Sequence, residues 1–526
     1  MKQFVRDHAF IIALGVLFFG LNAWAIGSWY SYQLNPDGLS YITIAEKYAR
    51  LDIKDAINGY WGPVMSLALV PFVWIGADMI IAGKLVTLIA ATIILGVLYW
   101  ALLRYKVSRA ITYGTTFTAA VLLSEWGTYG PITPDMIMAL WTILLALGLL
   151  EFMRKPTRKL GIMLGILGAL MYYTKGFGLY FFVALIGLVA LWQWWYREGR
   201  DHKKVLRRYA PMAIVFAILV LPFIGVLSVK YQKLTINNAG TFNWRVMGPH
   251  LNGVQPMDNF GPFIPPNDTA VNAWEDGSRV TDPSQDWGLL DSKQNLIHYL
   301  NKILWVNFNN VFSIMRGFGA YASFAMVILI IGCFQRKYFQ REYIVFTLIN
   351  GLLIVGYGVL FLDGRYIWGG TLLAFIATAL FLSTLQKKQL LSTLQLTVGG
   401  VLVGGGLLLT VVQGIVGSRD LGEDLYRISK VVDPLIPEGA HVMADRNNPA
   451  YPVCYRIKAQ CYNVMNPSID NADDYYRLIK REGVSYYLDF HMREDDAALQ
   501  SFVSRYGSML EDHTIKGQRV TIYKIN

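Results

Sequence analysis

PVMSLALVPFVWIG, residues 63–76, is the stretch whose reading decides the fold. It is apolar but short, and Pro71 interrupts it. A helix needs about 20 apolar residues to cross a hydrocarbon core of about 30 Å. The segment therefore reads as an in-plane or re-entrant helix. That reading sets the side of the membrane on which every later loop lies.

Outward from it, eleven apolar segments read as spans: residues 9–29, 79–103, 109–124, 136–153, 160–174, 177–196, 210–229, 317–335, 343–362, 366–385 and 392–416. Ala23-Trp24-Ala25 looks faintly like a signal-peptidase site. The apolar run is long for a signal sequence, so an uncleaved first span is expected. With a cytoplasmic N-terminus, the inside loops hold Arg104, Lys106 and Arg109, then Arg154, Lys155, Arg158 and Lys159, then Arg197 through Arg208, then Arg336, Lys337 and Arg341, then Lys387 and Lys388. The short outer loops are nearly free of Lys and Arg, as the positive-inside rule requires. Counting 63–76 as a span would carry basic loops, those at 104–109 and 197–208 among them, to the wrong side. The chain is thus expected in an inner (cytoplasmic) membrane, multi-pass, with its C-terminal region extracytoplasmic.

Composition agrees. Of 526 residues, 54% are hydrophobic and 16% charged, and mean hydropathy is +0.37. This is the profile of a polytopic membrane protein. The 47 basic against 36 acidic residues would suggest nucleic acid in a soluble protein. Here the excess lies in short loops between spans and reports orientation, so no nucleic-acid partner is expected. No Cys/His cluster has zinc spacing. No dinucleotide or P-loop fingerprint occurs. Gly399-Gly400 and Gly404-Gly405-Gly406 lie in an apolar span and read as helix packing.

The fold class is therefore an all-α polytopic membrane protein of about 11 transmembrane helices plus in-plane helices, carrying a small soluble domain. Residues 1–417 would form the membrane part, with outer loops 30–78 and 230–302. Residues 418–526 read as an extracytoplasmic α/β domain, with strands at 441–444, 484–488 and 518–524 and helices at 471–482 and 494–506. On an oxidising side, Cys454 and Cys461 would pair. Cys333, in an apolar span, would be inert.

Asn35-Pro36-Asp37-Gly38-Leu39-Ser40-Tyr41 follows the first span. Asn35 suits a helix cap and Pro36 its first position, which puts Asp37 in the first turn. Thr133-Pro134-Asp135 repeats the arrangement at the start of another apolar helix. An acid there can simply complement the helix dipole. It can also be a general base, since the dipole favours the ionised form. Tyr41 lies one turn on from Asp37. Lys175 in Thr174-Lys175-Gly176 and Arg365 in Asp363-Gly364-Arg365-Tyr366 fall at outer ends of spans, where they could hold a phosphate. A snorkelling lysine and a local Asp–Arg turn are the bland alternatives. Lys84 is a weaker candidate of the same kind. Trp274-Glu275-Asp276 reads mainly as solvated loop acids, and Tyr60-Trp61 as either a sugar platform or ordinary interfacial anchors. The middles of the spans are almost free of ionisable residues, unlike ion-coupled transporters.

Taken in order, these motifs resemble the GT-C superfamily of integral-membrane glycosyltransferases, in the protein O-mannosyltransferase and aminoarabinose-transferase branch. The resemblance covers residues 1 to about 385. It rests on Asp37, Tyr41 and Ala45, the segment after Gly62-Pro63, Thr133-Pro134-Asp135, Thr174-Lys175-Gly176 and Arg365-Tyr366. It implies a polyprenyl-phosphate sugar as donor and inverting transfer to a glycan, lipid or protein acceptor. It also implies Asp37 as catalytic base, Asp135 as second acid, and Lys175 and Arg365 on the lipid phosphate. The paired acids spaced one apart, typical of oligosaccharyltransferases, are absent from both loops, so metal-independent transfer without a cofactor is expected. Two other readings stand beside this one: a lipid or polysaccharide flippase, and a non-enzymatic membrane assembly factor.

Overall fold

The computed structural model describes residues 8–196, 201–252, 264–279, 286–317, 319–334, 339–445, 447–463, 471–491 and 496–526. Arg197, Arg200, Arg336 and Lys337 of the expected inside loops lie outside the described residues.

Each apolar segment is a helix. In chain order they are α1 (Ala9–Trp29), α2 (Pro36–Ala49), α3 (Pro63–Trp74), α4 (Met79–Arg104), α5 (Arg109–Ser124), α6 (Asp135–Arg154), α7 (Arg158–Thr174), α8 (Phe177–Tyr196), α9 (His202–Tyr231), α10 (Gly319–Cys333), α11 (Gln340–Gly358), α12 (Trp368–Lys387) and α13 (Thr393–Gly417). Seven stretches among the described residues are long and apolar enough to cross a membrane: α1, α4, α6, α8, α9, α12 with the turn before it, and α13. The chain is a multi-pass membrane protein. The remaining four expected spans are helices of 16 (α5), 17 (α7), 15 (α10) and 19 (α11) residues, so length and hydropathy alone do not carry the count to eleven. The stretch around Pro71 is a helix of 12 residues. At 1.5 Å per residue it reaches about 18 Å, too short to cross. It packs on α2 instead.

α12 forms the centre, with 89% of its apolar window buried, whereas α13 buries 11% and α1 22%. α12 packs against α6, α10 and α5. The basic loops gather at one end of the bundle. There Arg104 approaches Glu151 at 3.7 Å, Arg154 pairs with Glu342, and Lys387 lies over the Phe339 ring. Asp37, Asp135, Lys175 and Arg365 gather at the other end, as the loop charges predict.

Below Ser124 the chain tightens into a π-turn, Glu125–Tyr129. Thr128 donates to Asn22 Oδ1 (2.5 Å), and Asn22 Nδ2 donates to Ser124 Oγ (3.0 Å). These side-chain bonds tie α1 to the chain that leads into α6. Interhelical bonds of this kind substitute for the hydrophobic drive that lipid does not supply.

Beyond α13 lies a five-stranded sheet: β1 (His441–Ala444), β2 (Gln460–Asn463), β3 (Tyr486–Asp489), β4 (Gly507–Ile515) and β5 (Gln518–Ile525). Its order is β2-β1-β3-β5-β4. The first three strands run parallel and β5 and β4 antiparallel to their neighbours. Helices α14 (Glu423–Val432), α15 (Asn447–Arg456), α16 (Ala472–Arg481) and α17 (Ala497–Tyr506) accompany it. The expected strands and helices are present. β2, β4, α14 and α15 add to the expected elements. Cys454 and Cys461 form a disulfide, with Cα atoms 6.0 Å apart. The core does not stop at residue 417: Ile428, Val432, Val442 and Cys454 belong to the same contiguous apolar cluster as the membrane helices.

Candidate active site

The two acidic loops are brought together by one side chain. Asn35 is the N-cap of α2 by position, but its side chain makes no capping bond. Its Oδ1 accepts from Ile132 N (2.9 Å) and its Nδ2 donates to Ile132 O (3.4 Å). The loop before Asp37 is thus bonded to the loop before Asp135. Close approach requires Gly38, where an added Cβ would lie 2.7 Å from the Ile132 Cβ.

Asp37 and Asp135 both line a cavity of about 740 Å³. Lys175 donates to Asp135 Oδ1 at 2.5 Å. Arg365 lies between the acids, with Nη2 3.3 Å from Asp37 Oδ2 and Nε 3.6 Å from Asp135 Oδ2. Asp363, 3.4 Å from Arg365 Nε, also accepts from the Arg365 backbone N–H. The local Asp–Arg turn is therefore real, and Arg365 reaches the two distant acids as well. The acids differ in exposure: the Asp37 side chain keeps 24% and that of Asp135 3%. Asp135 is engaged by two cations inside the wall, while Asp37 faces the cavity.

Tyr366 lies beneath the lysine, with Lys175 Nζ 4.0 Å from its ring centre, and stacks on Tyr357 at 4.3 Å. Burial pushes the Lys175 pKa down, against the pull of the Asp135 charge. Tyr41 is buried and lines the cavity. Burial, then the negative charge of Asp37, holds its phenol well above the usual range, and the same holds for Tyr60. Both therefore stay protonated and available as donors.

Trp274 has a part in the site that its sequence context barely announces. Its indole Nε1 donates to Asp37 Oδ1 at 3.2 Å. The neighbouring acid is not solvated: Glu275 pairs with Lys47, their side chains being 3% and 0% exposed. Tyr60 and Trp61 are likewise not membrane anchors. Trp61 is buried, donates to Trp274 O (3.0 Å), and packs with Tyr60, Trp274 and Tyr41. Gly62 lets α3 begin directly against the carbonyls of Tyr173 and Thr174, where a Cβ would collide. The signal for Trp274 was an aromatic residue beside acids in an over-long outer loop. Tyr357, at the end of an apolar span, gave none.

Lys84 is not in this cavity. Its amine is buried and donates to Gln33 Oε1 (2.6 Å), Thr128 O (3.1 Å) and Gly130 O (3.2 Å). A lysine so used holds loops rather than substrate, because its three donors are already engaged.

The cavity has two kinds of wall. Asp37, Asp135, Lys175, Arg365 and the aromatic residues form one. Tyr180, Val359, Leu360 and Phe361 form part of the other, and Tyr180, Val359 and Phe361 are 50%, 38% and 42% exposed. A charged pocket thus opens beside exposed apolar side chains at the ends of α8 and α11.

No family model matches the chain, and no curated protein matches it in sequence. Solved structures do match its fold. ArnT from Cupriavidus metallidurans bound to undecaprenyl phosphate aligns with a TM-score of 0.59 at 12% identity, over 99% of this chain and 98% of that one. The Archaeoglobus fulgidus oligosaccharyltransferase in its apo form aligns with a TM-score of 0.57 at 12% identity, over 95% of this chain and 72% of that one. The archaeal oligosaccharyltransferase AglB from Archaeoglobus fulgidus, in complex with an inhibitory peptide and a dolichol-phosphate, aligns with a TM-score of 0.55 at 14% identity, over 98% and 74%. The chain has the fold of these GT-C glycosyltransferases.

Proposed function

We propose that the protein is a glycosyltransferase of the GT-C type. It moves a monosaccharide from a polyprenyl-phosphate sugar to a cell-envelope acceptor (a lipid-linked glycan, lipid A, polysaccharide or protein) on the outer face of the inner membrane. The observation that carries this reading is the acid–cation–acid arrangement of Asp37, Arg365 and Asp135, with Lys175, in a cavity whose other wall is apolar and exposed. The fold shared with an undecaprenyl-phosphate complex and a dolichol-phosphate complex supports it.

The chemistry follows from the geometry. Asp37, the acid that faces the cavity, takes the proton of the acceptor nucleophile. The new bond forms at the anomeric carbon as the bond to the phosphate oxygen breaks, on the opposite face, which inverts the configuration. The polyprenyl phosphate leaves with the bonding electron pair. Its growing negative charge is met by Lys175 and Arg365, prepositioned and partly desolvated, where such charges act most strongly. Asp135 is the positioning acid that holds both cations. The apolar wall takes the first isoprenes and lets a lipid donor enter from the bilayer. Tyr366 and Tyr41 flank the reacting groups. Arg365 supplies positive charge to both carboxylates, the part a divalent ion would otherwise play, and this supports transfer without a metal.

Binding of polyprenyl phosphate tests the donor assignment. Arg365→Gln and Lys175→Gln should each weaken it about tenfold or more, as expected for losing a hydrogen bond to a charged group worth about 1.5–3 kcal/mol. Lys159→Gln, at an exposed lysine on the opposite end of the bundle, should leave it within about twofold, since surface substitutions usually change free energies by no more than about 0.5 kcal/mol. Equal loss in all three would speak against the site.

A further inference from the structure

The C-terminal sheet is joined to Asp37 by a continuous strap. Residues 267–275 run between them. At the sheet end, edge strand β2 meets the strap through Gln460 and Cys461. Gln460 Nε2 donates to Asn267 O and to Ala270 O, both at 3.0 Å, and Cys461 N donates to Val271 O at 2.6 Å. The edge of the sheet is thus capped by the strap, which uses bonds an edge strand otherwise leaves open. Cys461 is also held by its disulfide to Cys454 at the end of α15.

At the other end the strap is fastened three times. Glu275 forms its buried pair with Lys47 of α2. Asn58 Nδ2 donates to Glu275 O at 2.5 Å, and Trp61 Nε1 donates to Trp274 O at 3.0 Å. Trp274 then reaches Asp37. Only a few residues separate the contact with β2 from the contact with the acid, and both ends of that short segment are buried. A short, doubly anchored segment has little freedom to absorb a shift at either end.

We infer that Gln460 is a positioning residue for transfer: through the strap it sets the Trp274 indole against Asp37, so the C-terminal domain completes the active site. This rests on the reading of Asp37 as the base, but the strap itself does not. Gln460 touches no cavity residue among those around Asp37, so a change there acts through Trp274.

The experiment uses the full chain in nanodiscs, labelled with 5-fluorotryptophan. The 19F resonance absent from Trp274→Phe is that of Trp274. Gln460→Met keeps the size of the side chain and removes its donor. The expected result is a shifted or broadened Trp274 resonance, with kcat for sugar transfer lower by about tenfold, the scale of one hydrogen bond to a charged group, and KM for the lipid donor unchanged. Cys454→Ser/Cys461→Ser should move the same resonance by releasing β2, and it serves if Gln460→Met folds poorly. An unmoved Trp274 resonance in both variants would overturn the inference. A Trp274 resonance that moves in the variants while the wild-type protein transfers no sugar would leave the strap standing and sink the reading of Asp37 as base.

Discussion

Asp37 owes its place to three neighbours of different chemistry: the Arg365 guanidinium, the Trp274 indole and open cavity. Trp274→Phe isolates one of them. It keeps an aromatic side chain but trims the indole to a phenyl and removes the N–H, so the carboxylate gains freedom to turn. A hydrogen bond to a charged group is worth about 1.5–3 kcal/mol. kcat/KM should fall by roughly tenfold or more on that scale, a loss that persists at temperatures where the trimmed, less tightly packed variant is fully folded. Equal activity in wild type and variant would show that the indole only packs. The contrast in exposure between the acids, 24% for Asp37 against 3% for Asp135, supports the proposed division of roles at this scale. Either was a plausible base when only Asn35-Pro36-Asp37 and Thr133-Pro134-Asp135 could be read, because the two motifs are alike. The difference arises from Lys175, forty residues beyond Asp135, and no local pattern announces that pairing.

At the scale of elements, the site is a junction of two helix starts. Asn35 suits a cap by its residue type and the proline after it. The fold uses its side chain for a tertiary contact instead, bonding to both backbone groups of Ile132. Each bond contributes about 1 kcal/mol. Asn35→Ala should lower stability by about 1–2 kcal/mol and activity by more than that stability loss implies, since Asp37 and Asp135 lose their common register. A cap substitution at another helix start, such as Ser392→Ala, should cost similar stability with activity intact. If the two variants behave alike, the bridge is structural only. The segment at 63–76 shows what was legible here. Its length and Pro71 sufficed to remove it from the spans, because the bilayer sets a length that composition must meet. Its partner, α2, was legible as a helix. Their packing on each other was not.

For the whole molecule, the loop charges sorted the chain into two ends, and the structure gathers the candidate residues at one of them. That much was legible because topology is a one-dimensional property. The strap from the C-terminal sheet to Asp37 was not legible, because Lys47 and Glu275 meet across more than two hundred residues and each resembles a surface charge in sequence. Breaking such a buried pair costs about 3–5 kcal/mol, whereas replacing both members with apolar groups is often neutral. Lys47→Met should therefore destabilise the protein by about that amount in chemical unfolding, and Lys47→Met/Glu275→Leu should recover most of it. A double variant as unstable as the single one would mean that the pair itself, and not the stranded carboxylate, sustains the fold.

The central claim is transfer from a lipid-linked sugar with Asp37 as base. The direct test supplies the purified protein in nanodiscs with a panel of radiolabelled polyprenyl-phosphate monosaccharides and an envelope acceptor fraction, with chelator in half the samples and Asp37→Asn run alongside. Label should appear in the acceptor from at least one donor, undiminished by chelator and abolished in Asp37→Asn, whose thermal unfolding should match wild type. Transfer that persists at the wild-type rate in Asp37→Asn would contradict it.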